Sequence, residues 1–594
     1  MLPPDCRQLY VESLQPPVGF ELREAVATTY SLDPSLLLGI PVAISLPHVD
    51  ASKLGKDSAV TLLEALRRVA SKLTVFCNAG DIALSVPHVL YGLLESVVVE
   101  ARGPKGGALH AKLWLLHFEP QPGEEEDPFL RLIVLSRNLT FDRCWDVSLQ
   151  LDGRITGRNR RENRPLADLL RALPAMAVRG PPPAAAERCQ RLADLAWRAD
   201  WELPDGFDSV DFHVFGTGKN TWALPETERL VVVSPFVRAD ALEAYADSTR
   251  EPTALVSRAE ELVKLPAKVL ARFKKMYVLA DEAATEDGED PAAEIGLRGL
   301  HAKLLLAERS WYTHLWLGST NATNAALHQN VELFAELYGK KSRVSGIDAL
   351  LDGEAFGGLL VEYVPPASPP EVDATQVQAE ESLRAATALL SAAPLRVRFE
   401  ASGGGCVPSI ESREPLTLVG IRSARAWLLT TSDSTAGALD PLYQGKSLEL
   451  PECAIASATG LVAFELEAQA AELRQSFVLN LPTENLPADR EAHIFRLVID
   501  NRDRFLAYLM ALLEGLDPDA VIGASGNGAG GGGAEIGGIL GPGLLERLVR
   551  ARARAPERLR ELKEVIDRLC ATDDGRKIVP PEFFEVWNVV SEGV

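Results

Sequence analysis

A histidine followed two residues later by a lysine occurs in the same pentapeptide, Leu-His-Ala-Lys-Leu, at Leu109–Leu113 and again at Leu300–Leu304. Each copy is followed by apolar runs and then by a Ser-x-Asn triplet, which begins at Ser136 or Ser319. A neutral imidazole can attack phosphorus and a protonated one can serve a leaving oxygen, because the ordinary pKa of histidine is about 6.5. Ammonium and amide groups can stabilise charge on phosphoryl oxygens. The repeated set therefore predicts attack on a phosphate ester.

Together the two copies supply one full set of groups for this chemistry. We expect His110 to be the nucleophile that forms a phosphohistidine and His301 to be the general acid and base, and the residues leave the reverse assignment open. The other predicted members, which would bind nonbridging oxygens in place of a cation, are Lys112, Asn138, Lys303 and Asn321. Water attacks a phosphodiester poorly unless a metal activates it. Since the sequence shows no metal-ligand spacing, we predict neither a metal nor a cofactor.

The repeat extends beyond the pentapeptides and indicates an internal duplication. Similar apolar segments precede the two copies, at Thr74–Asn78 and at Leu230–Ser234. Helix-like stretches lie between the strands, and each motif starts a pair of short strands joined by a hairpin. Because side chains at i and i+2 share one strand face, we expect the histidine and lysine of each copy to lie together on the first strand. The pattern predicts two pseudo-symmetric α/β halves with largely parallel sheets.

These residues resemble the signature of the phospholipase D superfamily of phosphodiesterases, in which H-x-K is followed by G-S-x-N and N-x-E. The second half matches through His301, Lys303, the Gly318–Asn321 segment and Asn330–Glu332, whereas the first half has Trp145 and Asp146 in place of N-x-E. The resemblance covers residues 20–365 and implies two α-β-α halves that share one site. It also implies that Glu332 holds one imidazole in its productive tautomer, and Asp146 is a candidate for the other.

The acidic residue that gives this superfamily its H-K-D pattern is missing from both copies, where His117 and Glu308 stand instead. An H-K-N pattern without that acid is more similar to the tyrosyl-DNA phosphodiesterase branch and related nucleases than to lipid-cleaving members. For His117 and Glu308 we favour a structural role at strand ends over a catalytic one.

Composition changes after residue 365 and indicates further domains. A Pro-rich segment and an Ala-rich helix lead to short strands separated by turn residues, and a Gly-rich run precedes the last helical stretch. We predict a first phospholipase D-like half at residues 1–180, a second at 181–365, a mostly β accessory domain at 366–520, a Gly-rich linker at 521–541 and a small helical C-terminal module at 542–594. A tethered helical module of this kind is typical of partner docking.

The net charge of −22 requires that any affinity for phosphates come from local basic groups. Candidates are the clusters Arg154, Arg158, Arg160, Arg161 and Arg164, and Lys268, Arg272, Lys274 and Lys275. Acidic segments at Glu124–Asp127 and Asp281–Glu294 would oppose a polyanion near the motifs. Seven cysteines without C-x-x-C spacing, no signal peptide and no apolar stretch long enough for a bilayer predict a cytoplasmic protein without a membrane partner.

These observations predict a metal-independent phosphodiesterase that cleaves nucleic acid, with DNA favoured over RNA. Long C-terminal additions suggest, by analogy, the nuclease component of a bacterial defence or DNA-processing system, with a protein partner at the C-terminal module. Two alternatives stay open. One is a phospholipase or another hydrolase of small phosphodiesters, and the other is a subunit that binds nucleic acid without cutting it.

Overall fold

The motif-bearing part of the chain is built on two mixed β-sheets. The computed structural model describes residues 10–45, 59–142, 144–218, 222–280, 299–353, 356–366, 373–514, 542–554, 556–570 and 573–591. The acidic segment Asp281–Glu294 and the Gly-rich run at 521–541 lie outside these ranges.

The first sheet is mixed, and the strand that follows the first motif lies at its centre. The strands up to residue 201 are β1 (Phe20–Thr29), β2 (Leu73–Asn78), β3 (Val98–Ala101), β4 (Leu113–Pro120), β5 (Phe129–Leu135), β6 (Cys144–Trp145), β7 (Ser148–Ile155) and β8 (Ala199–Trp201). Seven of them form one sheet in the order β3-β2-β1-β4-β5-β7-β8, and β6 pairs elsewhere. β1, β2 and β3 are parallel, whereas β4, β5, β7 and β8 add antiparallel strands.

The second sheet repeats this plan. Its part of the chain contains β9 (Phe207–Phe215), β10 (Thr227–Val233), β11 (Thr249–Val256), β12 (Lys275–Leu279), β13 (Gly299–Leu300), β14 (Leu304–Arg309), β15 (Tyr312–Gly318), β16 (Glu332–Lys340) and β17 (Leu360–Glu362). The order is β17-β12-β11-β10-β14-β15-β16-β9, with β10, β11 and β12 parallel. In the described part of each sheet two strand pairs are parallel and the others antiparallel. The prediction of largely parallel sheets was therefore wrong, because the hairpin after each motif adds antiparallel strands.

The core explains why the motif strands are apolar on both faces. Leu113 and Leu115 of β4 belong to the same cluster as Leu304 and Leu306 of β14, so one core lies between the sheets. Trp114 of β4 points to the opposite side, as expected for strands in which successive side chains alternate between faces. Strands that are buried on both faces form continuous apolar runs, which is the pattern seen after each His-x-Lys.

Helices cover the sheets. In the two motif-bearing halves they are α1 (Tyr10–Ser13), α2 (Pro34–Ser45), α3 (Ala59–Val69), α4 (Arg164–Met176), α5 (Pro183–Trp197), α6 (Ala239–Asp247), α7 (Ala259–Leu262), α8 (Ala267–Leu270), α9 (Asn324–His328), α10 (Lys341–Val344) and α11 (Ile347–Leu351). α2 and α3 pack on the outer face of the first sheet, and α6 and α8 on the outer face of the second. α4 and α5 extend the core between the sheets.

The accessory region contains two small sheets and a long helix. Its elements are α12 (Ala374–Ala392), β18 (Leu395–Ser402), β19 (Gly405–Ser412), β20 (Ile421–Leu428), β21 (Gly437–Ala438), α13 (Asp440–Tyr443), β22 (Leu448–Glu449), β23 (Cys453–Ala454), β24 (Leu461–Ala468), β25 (Arg474–Asn480) and β26 (Thr483–Glu484). Arg102, just after β3, donates to the carbonyl of Ala388 in α12 at 2.8 Å. The backbone N–H of Asn480 donates to Glu100 of β3 at 2.8 Å. The accessory region thus adjoins the edge of the first sheet.

The C-terminal helices pack onto the first half. They are α14 (Arg490–Val498), α15 (Arg502–Glu514), α16 (Pro542–Arg554), α17 (Pro556–Cys570), α18 (Asp573–Ile578) and α19 (Pro581–Ser591). Their apolar side chains share one core with α2 and α3, and the hydroxyl of Tyr508 donates to the buried carboxylate of Glu64 in α3. Most of the described apolar side chains of these helices are thus buried within the chain itself. Among the described helices, none is both long and apolar enough to cross a bilayer.

Candidate active site

Each His-x-Lys segment precedes its strand and hydrogen-bonds to the other half. β4 begins at Leu113, after the motif. The carbonyl of Val331, in the second half, accepts from the N–H groups of His110 at 2.9 Å and Ala111 at 2.7 Å. The expectation that histidine and lysine lie on the first strand was therefore wrong, because the backbone partner of this segment comes from the opposite half.

The second motif is held in the same way. The carbonyl of Trp145, in the first half, accepts from His301 N–H at 2.8 Å and Ala302 N–H at 3.0 Å. These contacts make Trp145 the counterpart of Val331, and hence Asp146 the counterpart of Glu332. The interlocked pair of segments joins the two halves at the motifs.

The serines of the two Ser-x-Asn triplets carry the same symmetry. The Ser136 hydroxyl accepts from Val147 N–H at 2.9 Å, and the Ser319 hydroxyl accepts from Leu333 N–H at 3.0 Å. Both serines are fully buried. Each serine therefore holds the backbone of the residue that directly follows the carboxylate of its own half, which is Asp146 or Glu332.

His110 is oriented by a carboxylate from the second half. Its Nδ1 lies 2.8 Å from both oxygens of Glu332, which is completely buried and also accepts from the Ser319 hydroxyl. A carboxylate beside Nδ1 favours the tautomer with its proton on that nitrogen. The lone pair then lies on Nε2, where an electrophile can be attacked.

The two motif lysines are buried ammonium groups. Lys112 is 1% exposed and Lys303 is 0% exposed. Lys112 donates to the carbonyl of His110 at 2.9 Å, and Lys303 donates to the carbonyls of His301 at 2.7 Å and Ser136 at 3.1 Å. Burial lowers the pKa of Lys112 to about 7, with Glu332 opposing, and it lowers the pKa of Lys303 as well, assisted by Lys112.

The lysines of both halves affect the pKa of each motif histidine, which indicates that the two motifs share one site. Burial, Lys112 and Lys303 lower the pKa of His110 to about 4, although Glu332 opposes them. Burial lowers the pKa of His301, and Lys303, Lys112 and Arg258 lower it further. Both imidazoles are therefore neutral at neutral pH in the free protein. An anion among these groups would favour their charged forms.

The two motif asparagines present unused polar atoms. The buried Oδ1 atoms of Asn138 and Asn321 have no hydrogen-bond partner in the described part of the chain. Oδ1 is a hydrogen-bond acceptor, so only the Nδ2 group of each amide could donate to an oxyanion. Among the residues predicted from the repeat, His110, Lys112, His301 and Lys303 interact with one another and with Glu332, and thus share one buried centre.

Asp146, His117 and Glu308 have contacts of other kinds. Asp146 faces Arg137 at 3.5 Å, and burial raises its pKa while Arg137 and Lys303 oppose this. The carboxylate of Glu308 accepts from Lys341, at the start of α10, and from the N–H of Ile347 at 2.9 Å. Glu308 thus connects β14 to α10 and α11. His117 is buried in β4, and neither ring nitrogen has a partner among the described residues.

Ion pairs neutralise much of the two basic clusters that the sequence suggested. Lys268, Arg272 and Lys274 each face a carboxylate, at 3.2, 2.9 and 2.8 Å. Arg160 pairs with Asp200 at 2.8 Å. The cations that reach the motifs are instead Lys112, Lys303, Arg137 and Arg258.

Sequence patterns gave no sign of two further neighbours of the site. The ring of Tyr30, which follows β1, lies 5.1 Å from that of His110. Arg258 follows β11 and donates through Nε to the carbonyl of Leu300 at 2.9 Å. Arg137 could have been noticed, since it occupies the variable position of the first Ser-x-Asn triplet. In the described ranges no three His, Cys, Asp or Glu side chains are grouped so that they could hold a metal ion.

No protein-family model matches the sequence, and no curated protein sequence matches it. Similar solved structures include two variants of yeast tyrosyl-DNA phosphodiesterase, at 11% and 10% identity, with TM-scores of 0.31 and 0.32. They cover 57% of this chain and 86% and 87% of the yeast chain. A polyphosphate kinase from Porphyromonas gingivalis is similar at 11% identity and a TM-score of 0.29, over 64% of this chain and 52% of the kinase. At such TM-scores these similarities do not bear on function, which is inferred from the site itself.

Proposed function

We propose that the chain is a phosphodiesterase that cleaves nucleic acid through a phosphohistidine, with DNA favoured. One observation carries the proposal. Each His-x-Lys segment is hydrogen-bonded into the opposite half, at Val331 or Trp145, so that both histidines and both buried lysines serve a single centre. The carboxylate of Glu332 faces this centre, and a phosphodiester would supply a further negative charge.

In the first step His110 attacks. Its Nε2 lone pair forms a bond to phosphorus while the bond from phosphorus to the leaving oxygen breaks, and the leaving oxygen takes a proton from His301. His301 must be protonated for this, and the bound phosphate favours that state because its negative charge opposes the effect of Lys303, Lys112 and Arg258. Glu332 stabilises the charge that develops on His110.

In the second step water attacks the phosphohistidine. His301 removes a proton from the water, the new phosphorus–oxygen bond forms, and the bond to Nε2 of His110 breaks. The products are a phosphate monoester and a free hydroxyl. Lys112, Lys303 and the amides of Asn138 and Asn321 would bind the nonbridging oxygens in both steps, a role in which one preorganised donor is typically worth about 10² to 10³ in turnover.

A direct test uses several substrates in EDTA. The purified protein is incubated with labelled single-stranded DNA, duplex DNA, RNA and phosphatidylcholine vesicles, alongside His110→Ala and the control His493→Ala. His493 suits this purpose because it lies on α14, in the C-terminal region, and pairs with Asp489 just before that helix. We expect the parent and His493→Ala to cleave nucleic acid, and His110→Ala to be inactive. Cleavage of phosphatidylcholine alone, or binding without cleavage, would overturn the proposal in favour of a phospholipase or a binding subunit.

The C-terminal helices are where a protein partner is proposed to bind. Their apolar faces are largely buried against α2 and α3, and Val549 and Val589 are exposed on α16 and α19. A protein partner at these helices, and a part in a bacterial defence or DNA-processing assembly, stay proposals, which co-purification of the full chain from its source would test.

A further inference from the structure

Two phenyl rings stand exposed beside the second motif. Phe141 is 63% exposed and Phe236 is 38% exposed, although most large apolar side chains of the chain are buried. Phe141 is at the tip of the loop that follows Asn138. Arg137 holds this loop by donating to the carbonyls of Thr140 at 2.9 Å and Asp142 at 3.2 Å. The ring is therefore presented outward by a loop with fixed ends.

Phe236 lies in the second half, in the connection between β10 and α6. The Ser234 hydroxyl donates to the Phe236 carbonyl at 2.7 Å, and the next residue, Val237, pairs with Ala322, which follows Asn321. The guanidinium of Arg258 lies over the Phe236 ring, 5.0 Å from its centroid. A cation held over one ring face fixes the orientation of the ring.

A continuous set of contacts links the two rings around His301. Arg258 donates to the carbonyl of Leu300, and Leu300 pairs with Trp145 in the β6–β13 ladder. The residue after Trp145 is Asp146, which pairs with Arg137, the residue that holds the Phe141 loop. Phe236, Arg258, Arg137 and Phe141 thus form one rim of aromatic and basic groups, which we call the His301 rim. Its acidic members are Asp142 and Asp146.

We propose that the His301 rim is a subsite that binds one unpaired strand of nucleic acid by stacking bases on Phe141 and Phe236. This deepens the proposed function and rests on it. Arginines between exposed rings match a chain in which planar bases alternate with phosphates, and stacking of this kind tolerates any base. In duplex the bases are already stacked on each other, and a lipid headgroup offers no planar ring. The cations of the rim would hold the flanking phosphates, away from Asp142.

The test separates stacking from phosphate binding. Phe141→Ala, Phe236→Ala and the double variant are made in the His110→Ala background, and their binding to a labelled single-stranded oligonucleotide is followed by fluorescence anisotropy. A second oligonucleotide carries abasic sites at every position that could reach the rim. Trp311→Ala is the matched control, because Trp311 is 81% exposed in the turn between β14 and β15. Far-ultraviolet circular dichroism verifies folding.

We expect the double variant to bind the base-containing strand roughly 10-fold to 100-fold more weakly, with no change for the abasic strand or for Trp311→Ala. An equal loss for both strands, or a duplex bound as tightly as a single strand, would overturn the subsite, as would phenylalanine-dependent binding of phosphatidylcholine vesicles. The double variant is also made with His110 intact. Hydrolysis of methyl p-nitrophenyl phosphate by this second protein tests the proposed function separately. If binding depends on the rings but no diester is cut, the subsite stands and the phosphodiesterase proposal fails.

Discussion

Asp146 pairs with Arg137 at 3.5 Å, in the first-half position that corresponds to Glu332 in the second half. Glu332 holds His110, whereas the described contacts of Asp146 include no bond to His301. The two halves therefore share a backbone plan but differ in how they support their histidines. Nδ1 of His301 lies instead 3.3 Å from Nζ of Lys303. Of the two carboxylates, only that of Glu332 can stabilise positive charge on an attacking imidazole, which is a physical reason to assign the nucleophile to His110.

The first prediction compares the two carboxylates. Glu332→Gln should lower kcat on the order of 10³-fold, because the amide no longer fixes or charges the partner imidazole, as in other histidine-carboxylate pairs. Asp146→Asn should change kcat less than about 10-fold. Single-turnover rates measure both, and thermal unfolding verifies that the buried Glu332 site still folds. Equal losses in the two variants would show that Asp146 supports His301 during turnover.

The second prediction concerns pH. The pKa of Lys112 is lowered to about 7 in the free protein, and that of Lys303 is lowered too, so kcat/KM should fall as pH rises above about 7 and the ammonium groups lose their protons. A bound phosphodiester favours the charged lysines, so the corresponding fall in kcat should occur at higher pH. The pH profile of Lys112→Arg is the control, since arginine does not titrate here. A kcat/KM that stays flat from pH 7 to 9 would contradict the lowered pKa values.

The third prediction is that binding of an oxyanion takes up protons. Burial lowers the pKa of Lys112 to about 7, and it also lowers the pKa of His301. A bound anion raises both pKa values, so the two side chains must take up protons from the buffer near pH 8. Calorimetric titration with tungstate in buffers of different ionisation enthalpy measures this uptake. Lys112→Met should show less uptake than the parent. Binding heats that are independent of the buffer would contradict the cation-rich site.

The fourth prediction concerns the C-terminal helices. Leu562 of α17 is fully buried in the core that includes α2 and α3, so Leu562→Ala should lower the free energy of unfolding by about 2–5 kcal/mol. Lys563→Ala, at an exposed neighbour, should change it by less than about 0.5 kcal/mol. Urea unfolding, followed by the fluorescence of the buried tryptophans, measures both. If the first half unfolds unchanged in Leu562→Ala, the helices form an independent module.

The predicted site rests on the repeat, because identical residues at matched spacing indicate a duplicated centre even when each copy alone is uninformative. The crossing of the motif segments could not be predicted, since the bond from His110 N–H to Val331 joins residues far apart in the chain and depends on how the halves pack. The pairing of the basic clusters with carboxylates could not be predicted for the same reason. Partners such as Glu243 for Lys268 are visible only in three dimensions. Arg258 reaches the site from the end of β11, where no local pattern marks it.

The central claim is that His110 becomes covalently phosphorylated without a metal, and trapping that species tests it most directly. The His301→Ala variant, given a labelled single-stranded substrate in EDTA, should retain acid-labile label on His110, because breakdown of the phosphohistidine needs the base that has been removed. His110→Ala should retain none, and mass spectrometry of the labelled peptide identifies the residue. Label on His301 in the His110→Ala variant would exchange the two roles. Activity of the parent that is lost in EDTA and restored by magnesium or manganese, with no label on either histidine, would contradict the account.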